Sequence, residues 1–506
     1  MQILQLALSA LLLGGQGPNP NSQFDWTIAA GETFVFNTVS QVIVSSPPQF
    51  QQATVGGFVD VRNFTIEDGG VLIVQGPNPM VLCASGQVVV DGRLSIDGTS
   101  SPGVVTLNTT NLPEQGAPGQ GGGGAGGTGS PFTTMSSPRG GNGLGAFGMP
   151  DAGGQGGETG WALTASTEDR RGAGGGGGVF GANQQSLSPV TGTFEQSAIG
   201  LDAERGFNNT DPDSTGAISG LTGVLGGAVG SGPFIDSSAR NDFFGTMLRP
   251  DHRVVHGELK QPWAGAGGGA GGDANRPVGS STYPGVWSTT SDEKGAGGGG
   301  GAGSLRILAL GPIVFGPQGE ITANGGTGGG GENTLFLNRV GGGSGGGSGG
   351  HIILETADHI DLSQVTGKAL RALGGQGGVG RFDVGGASIS LMGVPTQTLP
   401  NKDACPPGYP SSGPNACLGH VDGAGGDGGP GLIQLHTPRG LRDITLAAGS
   451  TLDNLAQPRP VCWDGGCRML VSFMDSDSSG ALITSGEQLL PSGQVTLESL
   501  RMQSGL

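Results

Sequence analysis

Glycine runs in this chain lead directly into aliphatic strands. This happens at three places, where Gly341–Gly350 is followed by His351–Leu354, Gly295–Ser304 by Leu305–Leu310, and Gly423–Gly431 by Leu432–Leu435. A flexible linker has no reason to end each time in the same kind of strand, whereas a repeated structural unit does. The pattern therefore predicts a β-repeat protein whose strands are joined by glycine-rich segments.

The glycine content sets the energetic problem that such a fold must solve. The chain has 506 residues, of which 109 are Gly and 32 are Pro. Ordering a glycine costs roughly 0.5–1 kcal/mol relative to alanine, so ordered runs need a compensating interaction such as backbone packed on backbone. The alternatives are a flexible coil and an extended polyproline-II-type helix with three residues per turn. The adjoining strands favour order after Gly295, and both interpretations stay open for Gly116–Gly178.

The clearest internal repeat begins at Leu305. Its unit is an aliphatic strand, a short polar loop, a second strand and a glycine run. First strands begin at Leu305, Ile352 and Leu432, and second strands begin at Ile321, Leu370 and Ile444. We expect the first strands to stack, with Leu305 and Ile307 packed inward against Ile352, Leu354, Leu432 and Ile433. The longer second interval contains an insertion, which is usual in repeat proteins.

The predicted fold class is all-β, with β-solenoid or parallel β-helix-like repeats joined by polyglycine segments of polyproline-II type. Between Phe24 and Thr110, short alternating runs are separated by turn dipeptides such as Asp91-Gly92 and Asp97-Gly98. Strands this short and this closely spaced are typical of β-repeats. No ten-residue stretch shows a 3.6-residue period with caps, so we expect almost no helix.

Composition and patterning predict six regions. They are a signal peptide at 1–18, an N-terminal β-repeat region at 19–110, a glycine-rich region at 111–178, a polar insertion at 179–262, glycine-rich β-repeats at 263–455 with a cysteine-containing loop insertion at 386–420, and a C-terminal cap at 456–506. Repeat arrays need such caps to close their terminal faces.

The first residues predict export. The apolar stretch Ile3–Leu13 is too short for a membrane span and matches the length of a secretory signal, although no Lys or Arg precedes it. No later stretch approaches 18 consecutive apolar residues. We therefore expect an extracellular or cell-surface protein that is not an integral membrane protein.

The five cysteines are consistent with an oxidising compartment. Cys405 and Cys417 flank a loop rich in Pro and Gly, and Cys462 and Cys467 flank a tight turn. We predict these two disulfides, each contributing roughly 2–3 kcal/mol, with Cys83 free. Zinc is the alternative, but neither pair has Cys-x-x-Cys spacing.

Charge argues against nucleic acid as a partner. The formal net charge is −17, and no basic stripe is visible. An acidic surface suits a soluble exported protein or one that takes up divalent cations.

The densest set of functional groups lies near the end of the polar insertion. It comprises Asp242, Arg249, Asp251, His252, Arg253, His256, Glu258 and Trp263. An aromatic ring beside Arg, Asp and His is what a sugar or anion site needs. The alternative is a polar loop that covers the repeats, and we predict no catalytic residue.

One segment resembles half of a calcium loop. Asp475, Asp477 and Ser479 occupy the first three ligand positions, but position 12 is Gly486 and Glu487 comes one residue late. Calcium is the one ion left open, against a solvated turn, and no other cofactor is predicted.

The chain resembles a loose class of glycine-rich, repeat-bearing exported and surface proteins of large-genome bacteria. The resemblance is carried by Gly76–Gly98 (GPNPMVLCASGQVVVDGRLSIDG) and by the junctions GGGSGGGSGGHIILE and GGGGAGSLRI. It implies a surface or extracellular location and a repeat fold more than any activity. We predict a structural or adhesive surface protein without catalytic activity. Surface polysaccharides or other surface proteins are the expected partners.

An enzyme is the alternative. β-Helix polysaccharide lyases need acidic clusters for calcium and a basic residue beside the cleaved bond. Stacked repeats would have to bring together Asp358, Asp361, Arg371, Arg381 and Asp383 for this. A polysaccharide hydrolase and a glycan-binding module are further alternatives in this class.

Overall fold

The computed structural model shows a chain that is nearly all β, with parallel sheets. It describes residues 18–19, 22–104, 113–130, 139–150, 152–161, 170–180, 203, 215–216, 225–234, 241–248, 254–275, 277–278, 286–287, 294–332, 339–379, 382–384, 387–389, 423–461 and 468–470. In these residues the helical structure is limited to one short helix, α1 (Leu452–Leu455), and 3-10 turns at Ala146–Gly148 and Gly440–Asp443. This confirms the expectation of very little helix.

Three parallel sheets form the body of the protein. The first contains, in order, β1 (Asp25–Ile28), β6 (Asn63–Ile66), β9 (Val88–Val90), β20 (Ile313–Phe315), β24 (Ile360–Leu362) and β29 (Ile444–Leu446). The second contains β2 (Thr33–Asn37), β7 (Val71–Gln75), β10 (Arg93–Ser95), β21 (Glu320–Thr322), β25 (Leu370–Arg371) and β30 (Ala456–Gln457). The third contains β5 (Phe58–Val61), β8 (Met80–Ala84), β19 (Ser304–Ala309), β23 (His351–Thr356) and β28 (Leu432–His436).

The chain passes through these sheets in a fixed order. From β5 onward it enters the third sheet, then the first, then the second, and it repeats this path through β8, β19, β23 and β28. The repeat unit therefore contains three strands. The sequence pattern had indicated two, because the middle strands such as β20 and β24 are only three residues long.

Side-chain alternation places the core between the three sheets. Leu305 is paired with Ile352, and Ile352 with Ile433, while Ile307 is paired with Leu354. All five side chains are buried in one hydrophobic cluster. The predicted stacking of the strands is therefore present, because each strand contributes one aliphatic face with a period of two.

Two predicted alignments were wrong. Leu432 is paired with His351 and not with Ile352, so its side chain lies on the outer face of the third sheet. Ile444 is paired with Ile360 in the first sheet, whereas Leu370 is paired with Ala456. A shift of one residue exchanges the two faces of a strand, and short apolar runs do not fix that register by themselves.

A hairpin of β3 (Ser40–Val44) and β4 (Gln51–Val55) closes the N-terminal end of the three sheets. Ile43 and Thr54 are buried on its inner side. The remaining strands are short, namely β11 (Gly160–Trp161), β12 (Arg170–Arg171), β13 (Thr215–Gly216), β14 (Thr246–Leu248), β15 (Val254–His256), β16 (Ala274–Asn275), β17 (Pro277–Val278), β18 (Val286–Trp287), β22 (Arg339–Val340), β26 (Phe382–Val384), β27 (Ala387–Ile389) and β31 (Arg468–Leu470).

The glycine runs lie beside the sheets as ordered segments joined by backbone hydrogen bonds. In Gly341–Gly350 the direction of the donated bonds repeats every third residue. The amides of residues 342, 345 and 348 donate to carbonyls of 272, 269 and 266, those of 343, 346 and 349 to 423, 426 and 429, and those of 344, 347 and 350 to 329, 326 and 323.

The carbonyls of the same run accept hydrogen bonds from other segments in the same rhythm. The donors to residues 342, 345 and 348 are the amides of 296, 299 and 302, the donors to 343 and 346 are those of 175 and 178, and the donors to 344 and 347 are those of 378 and 375. This run is therefore enclosed by neighbouring segments on all sides.

The question left open for Gly116–Gly178 is answered where the structure describes it. The amides of Gly124 and Gly127 donate to the carbonyls of Gly265 and Gly268, again three residues apart. These residues belong to the same array of ordered runs, which we call the glycine array.

Close approach of backbones explains why the runs contain glycine. A Cβ atom placed on Gly347 would meet the carbonyl oxygen of Gly300 at a distance that real Cβ atoms do not show. The same holds for Gly346 against Gly375. The array therefore depends on the absence of side chains, as the neighbouring chains in collagen depend on glycine at the shared axis.

Candidate functional site

A buried polar network lies on the outer face of the third sheet. Alternation along the strands turns Arg306, His351, Glu355, Gln434 and His436 away from the hydrophobic core. His351, Glu355, Gln434 and His436 are nevertheless almost completely buried. Burial of so many polar groups requires that they be hydrogen-bonded to one another or to a covering element.

The covering element is part of the predicted polar insertion. We call residues 241–248 and 254–263 the covering segment. The side-chain amide of Gln434 donates to the carbonyl oxygen of Phe244 (2.8 Å), and its Oε1 accepts the backbone N–H of Phe244 (3.0 Å). This pair of bonds fastens the covering segment to β28 much as a neighbouring strand would be held.

An ion pair lies under the same phenylalanine. Arg306 Nε donates to Glu355 Oε1 (2.8 Å) and Arg306 Nη2 donates to Glu355 Oε2 (3.0 Å). The guanidinium carbon lies 5.3 Å from the centroid of the Phe244 ring, which is a cation–π geometry. Burial alone would raise the pKa of Glu355, but Arg306 and His436 together keep it below its usual value.

The two histidines extend the network in opposite directions from Gln434. His351 Nε2 lies 2.6 Å from Gln434 Oε1, and His351 Nδ1 accepts the backbone N–H of Trp263 (3.3 Å). Gln434 Nε2 in turn donates to Nε2 of His436 (3.1 Å). Since Nδ1 of His351 is an acceptor, the ring is neutral with its proton on Nε2. Burial lowers the pKa of His351 to about 3.

Cys83 lies one strand beyond Arg306 on the same outer face. Its thiol is fully buried, and Leu308 stands between it and Glu355 in register. Burial raises the pKa of Cys83 to about 12, although Arg306 acts in the opposite direction. A thiol in this state is not a nucleophile at neutral pH.

Of the predicted ligand residues of the polar insertion, the structure describes Asp242, His256, Glu258 and Trp263. Asp242 is buried. The exposed His256 has its Nδ1 3.1 Å from the hydroxyl of Thr246, and Glu258 accepts a hydrogen bond from Asn241 (3.1 Å). Trp263 packs edge-on against Phe147 with ring centroids 5.4 Å apart.

Several other predicted residues lie outside the described part of the chain. These are Arg249, Asp251, His252 and Arg253 of the insertion, the calcium-loop residues Asp475, Asp477 and Ser479, and the cysteines Cys405, Cys417, Cys462 and Cys467. Cys83, the one cysteine in the described part of the chain, is buried and is not part of a disulfide there.

The described residues among those named for a polysaccharide lyase lie in different parts of the fold. Asp361 lies in the first sheet and Arg371 in the second, where Arg371 forms an ion pair with Glu320. Asp358 is exposed and pairs with its neighbour His359 (2.8 Å). Arg381 lies outside the described residues, and the side chain of Asp383 is not described.

Two features are absent from the part of the chain that the structure describes. No three His, Cys, Asp or Glu side chains there come together in a way that could hold a metal ion. None of the described helices is long and apolar enough to cross a membrane.

Neither a protein-family model, a curated protein nor a solved structure matches this chain. Its function must therefore be argued from its own residues. The network of Arg306, His351, Glu355, Gln434 and His436 was not predicted from the sequence. A signal was present, because each of three otherwise aliphatic strands carries two polar residues on the same face.

The side chains of the network join the covering segment to the third sheet. Each side-chain contact described above runs either to the covering segment or to another member of the network. Acid–base groups are present, but His351 and Glu355 are buried beneath the covering segment. The network holds the covering segment on the third sheet.

Proposed function

We propose that this protein is an exported structural component of the cell surface or extracellular space, without catalytic activity. The observation that carries the proposal is the glycine array. Its interior consists of backbone packed on backbone, so it offers rigidity and no side-chain chemistry. Much of the chain lies in this array, and this supports a structural role.

We further propose that the three parallel sheets form a β-solenoid. Support comes from the fixed order in which the chain enters the third, first and second sheets, and from the single hydrophobic cluster between them. Each passage of the chain through the three sheets adds one strand to every sheet, as each repeat does in a solenoid.

The glycine runs, in this proposal, are extended helices of polyproline-II type. The direction of hydrogen bonding in Gly341–Gly350 recurs every third residue, and that helix has three residues per turn. Six neighbouring segments around one run are what hexagonal packing of such helices would produce. An adhesive role would then fall to the segments that connect the runs, because loops on a rigid scaffold usually carry recognition.

The location in this proposal rests on the leading apolar segment and the loop cysteines, both outside the described residues. Cell fractionation of the producing organism tests it. We expect the protein in the medium or the surface fraction, shortened by removal of about 18 residues at its N-terminus. An intact N-terminus on protein found only in the cytoplasm would contradict it.

The absence of catalysis is tested with purified protein and a panel of surface polysaccharides. We expect no new reducing ends and no unsaturated products. The comparison is a variant with Asp251→Ala, His252→Ala and Glu258→Ala, which should fold and attach to the cell surface like the wild type. Depolymerisation by the wild type that this variant lacks would replace the structural proposal with the enzyme.

A further inference from the structure

Exposed apolar side chains in this protein are concentrated at one end. Of the eight large hydrophobic side chains that stand exposed among the described residues, six belong to residues 35–55. Val42 and Val55 are the most exposed, at 56% and 66%. They lie on the outer face of the β3–β4 hairpin, opposite the buried Ile43 and Thr54. Apolar patches of this kind usually mark an interaction surface.

The β3–β4 hairpin forms hydrogen bonds to the first strand of each of the three sheets. Gln41 accepts the backbone N–H of Asn37 (2.6 Å) and donates to the carbonyl of Val35 (3.2 Å), both in β2. Gln52 donates to the carbonyl of Asp60 in β5 (3.0 Å), and the N–H of Ser46 donates to the carbonyl of Asp25 in β1 (2.8 Å). The hairpin thus caps the first strand of each sheet, and this capping does not require valines on its outer side.

Charge indicates which partner this surface suits. No charged residue occurs between Glu32 and Asp60, although the whole chain carries a formal charge of −17. Two copies of so acidic a protein repel each other at most surfaces. The hairpin itself carries no charged side chain, so two copies can approach there with no like charges on the contacting faces.

We propose that two copies of this chain associate head to head, with the outer face of one β3–β4 hairpin packed on that of the other. The contact is isologous, since the same patch serves both copies about a twofold axis. Val42, Val44 and Val55 form its centre, and Val39 and Phe50 its rim. A two-stranded face is small beside the roughly 800 Å² per partner of a standard interface, so the dimer is weak and depends on concentration. This inference is separate from the structural role proposed above and stands or falls without it.

Sedimentation velocity of the full chain over a wide range of concentration tests the proposal. We expect the wild type to move from monomer toward dimer as concentration rises. Added salt should favour the dimer, because it screens the repulsion between the acidic bodies and leaves apolar contact intact. Val42→Lys and Val55→Lys should each remain monomeric throughout. Since both side chains are exposed, these variants should melt at the wild-type temperature.

Leu441→Lys is the matched control. Leu441 is 40% exposed on the 3-10 turn at Gly440–Asp443, away from the hairpin in sequence. This variant should dimerise like the wild type. A wild type that stays monomeric at every concentration, a Val42→Lys protein that still dimerises, or a dimer that salt dissolves would each overturn the proposal.

Discussion

We expect single glycines in the array to be sensitive to substitution, because an added Cβ would meet backbone atoms there. Gly347→Ala would force its new Cβ into the carbonyl of Gly300, which belongs to the backbone and cannot rotate away. We expect the variant to lose at least the 1–3 kcal/mol that overpacking typically costs, measured by chemical denaturation.

Gly367→Ala is the control for that substitution. A Cβ at Gly367 would meet no atom within 4 Å, and its φ lies outside the left-handed region. This variant should match the wild type or gain up to about 1 kcal/mol, because alanine restricts the unfolded chain. Equal destabilisation by both substitutions would show that the array is not packed as described.

The buried side chain of His351 should make the free energy of unfolding depend on pH. The folded chain holds this histidine neutral, with a pKa of about 3, while the unfolded chain protonates it near 6.5. Its contribution is therefore complete above about pH 6.5 and is lost as the pH falls toward 3. Between roughly pH 5 and pH 7, above the range of most carboxylates, we expect the free energy of unfolding to fall with acidification.

The slope should approach about 1.4 kcal/mol per pH unit for one such group. Thermal or urea unfolding at several pH values measures it. His351→Gln should remove most of the slope, whereas His359→Gln should not, because the side chain of His359, just before β24, is 42% exposed. A wild-type slope that survives His351→Gln would assign it to other groups.

Two hydrogen bonds of Gln434 hold the covering segment on β28. Gln434→Ala removes both bonds to the Phe244 backbone and leaves that buried peptide group without its partner. We expect a local cost of about 1–3 kcal/mol. Amide hydrogen exchange in residues 241–248 should become faster, while exchange in β8 and β19 stays slow.

Gln457→Ala is the matched control, because Gln457 is exposed at the end of the second sheet. It should leave exchange in the covering segment unchanged. If Gln434→Ala instead loosened all three sheets together, the network would be part of the global core and not a local attachment.

The sequence predicted the elements better than their pairing. The aliphatic strands at Leu305, Ile352 and Leu432 could be recognised from their apolar residues and the preceding glycines. Leu432 was misaligned because LIQL is apolar at three of its four positions and does not show which face is inward. Ile444 was misassigned because the three-residue middle strands are too short to have a period of their own.

The buried network was missed for a related reason. Polar residues in strands ordinarily face solvent, so the types of residue at Glu355 and Gln434 give no sign that these side chains are buried. Only the covering segment, which comes from a region more than 80 residues away from His351 in sequence, turns that face into an interior. A single sequence contains no local signal for such a contact.

For the whole molecule, the glycine array predicts an unusual pattern of protection. Polyglycine in a flexible linker exchanges its amide hydrogens rapidly, whereas hydrogen-bonded amides exchange through local opening. We expect slow exchange for the amides of Gly295–Gly303 and Gly341–Gly350. Rapid exchange there, together with slow exchange in β19 and β23, would show that the sheets form without the array.

The three-residue rhythm of hydrogen bonds has a consequence for how such a chain can change its length. If three residues are added to a run, each later amide still points toward the same neighbouring segment, and the run becomes longer by one three-residue repeat. Adding one or two rotates the rest of the run by a third or two thirds of a turn and points each amide at the wrong neighbour. We therefore expect insertions and deletions within these runs to be tolerated in steps of three residues, which correspond to nine nucleotides in the gene.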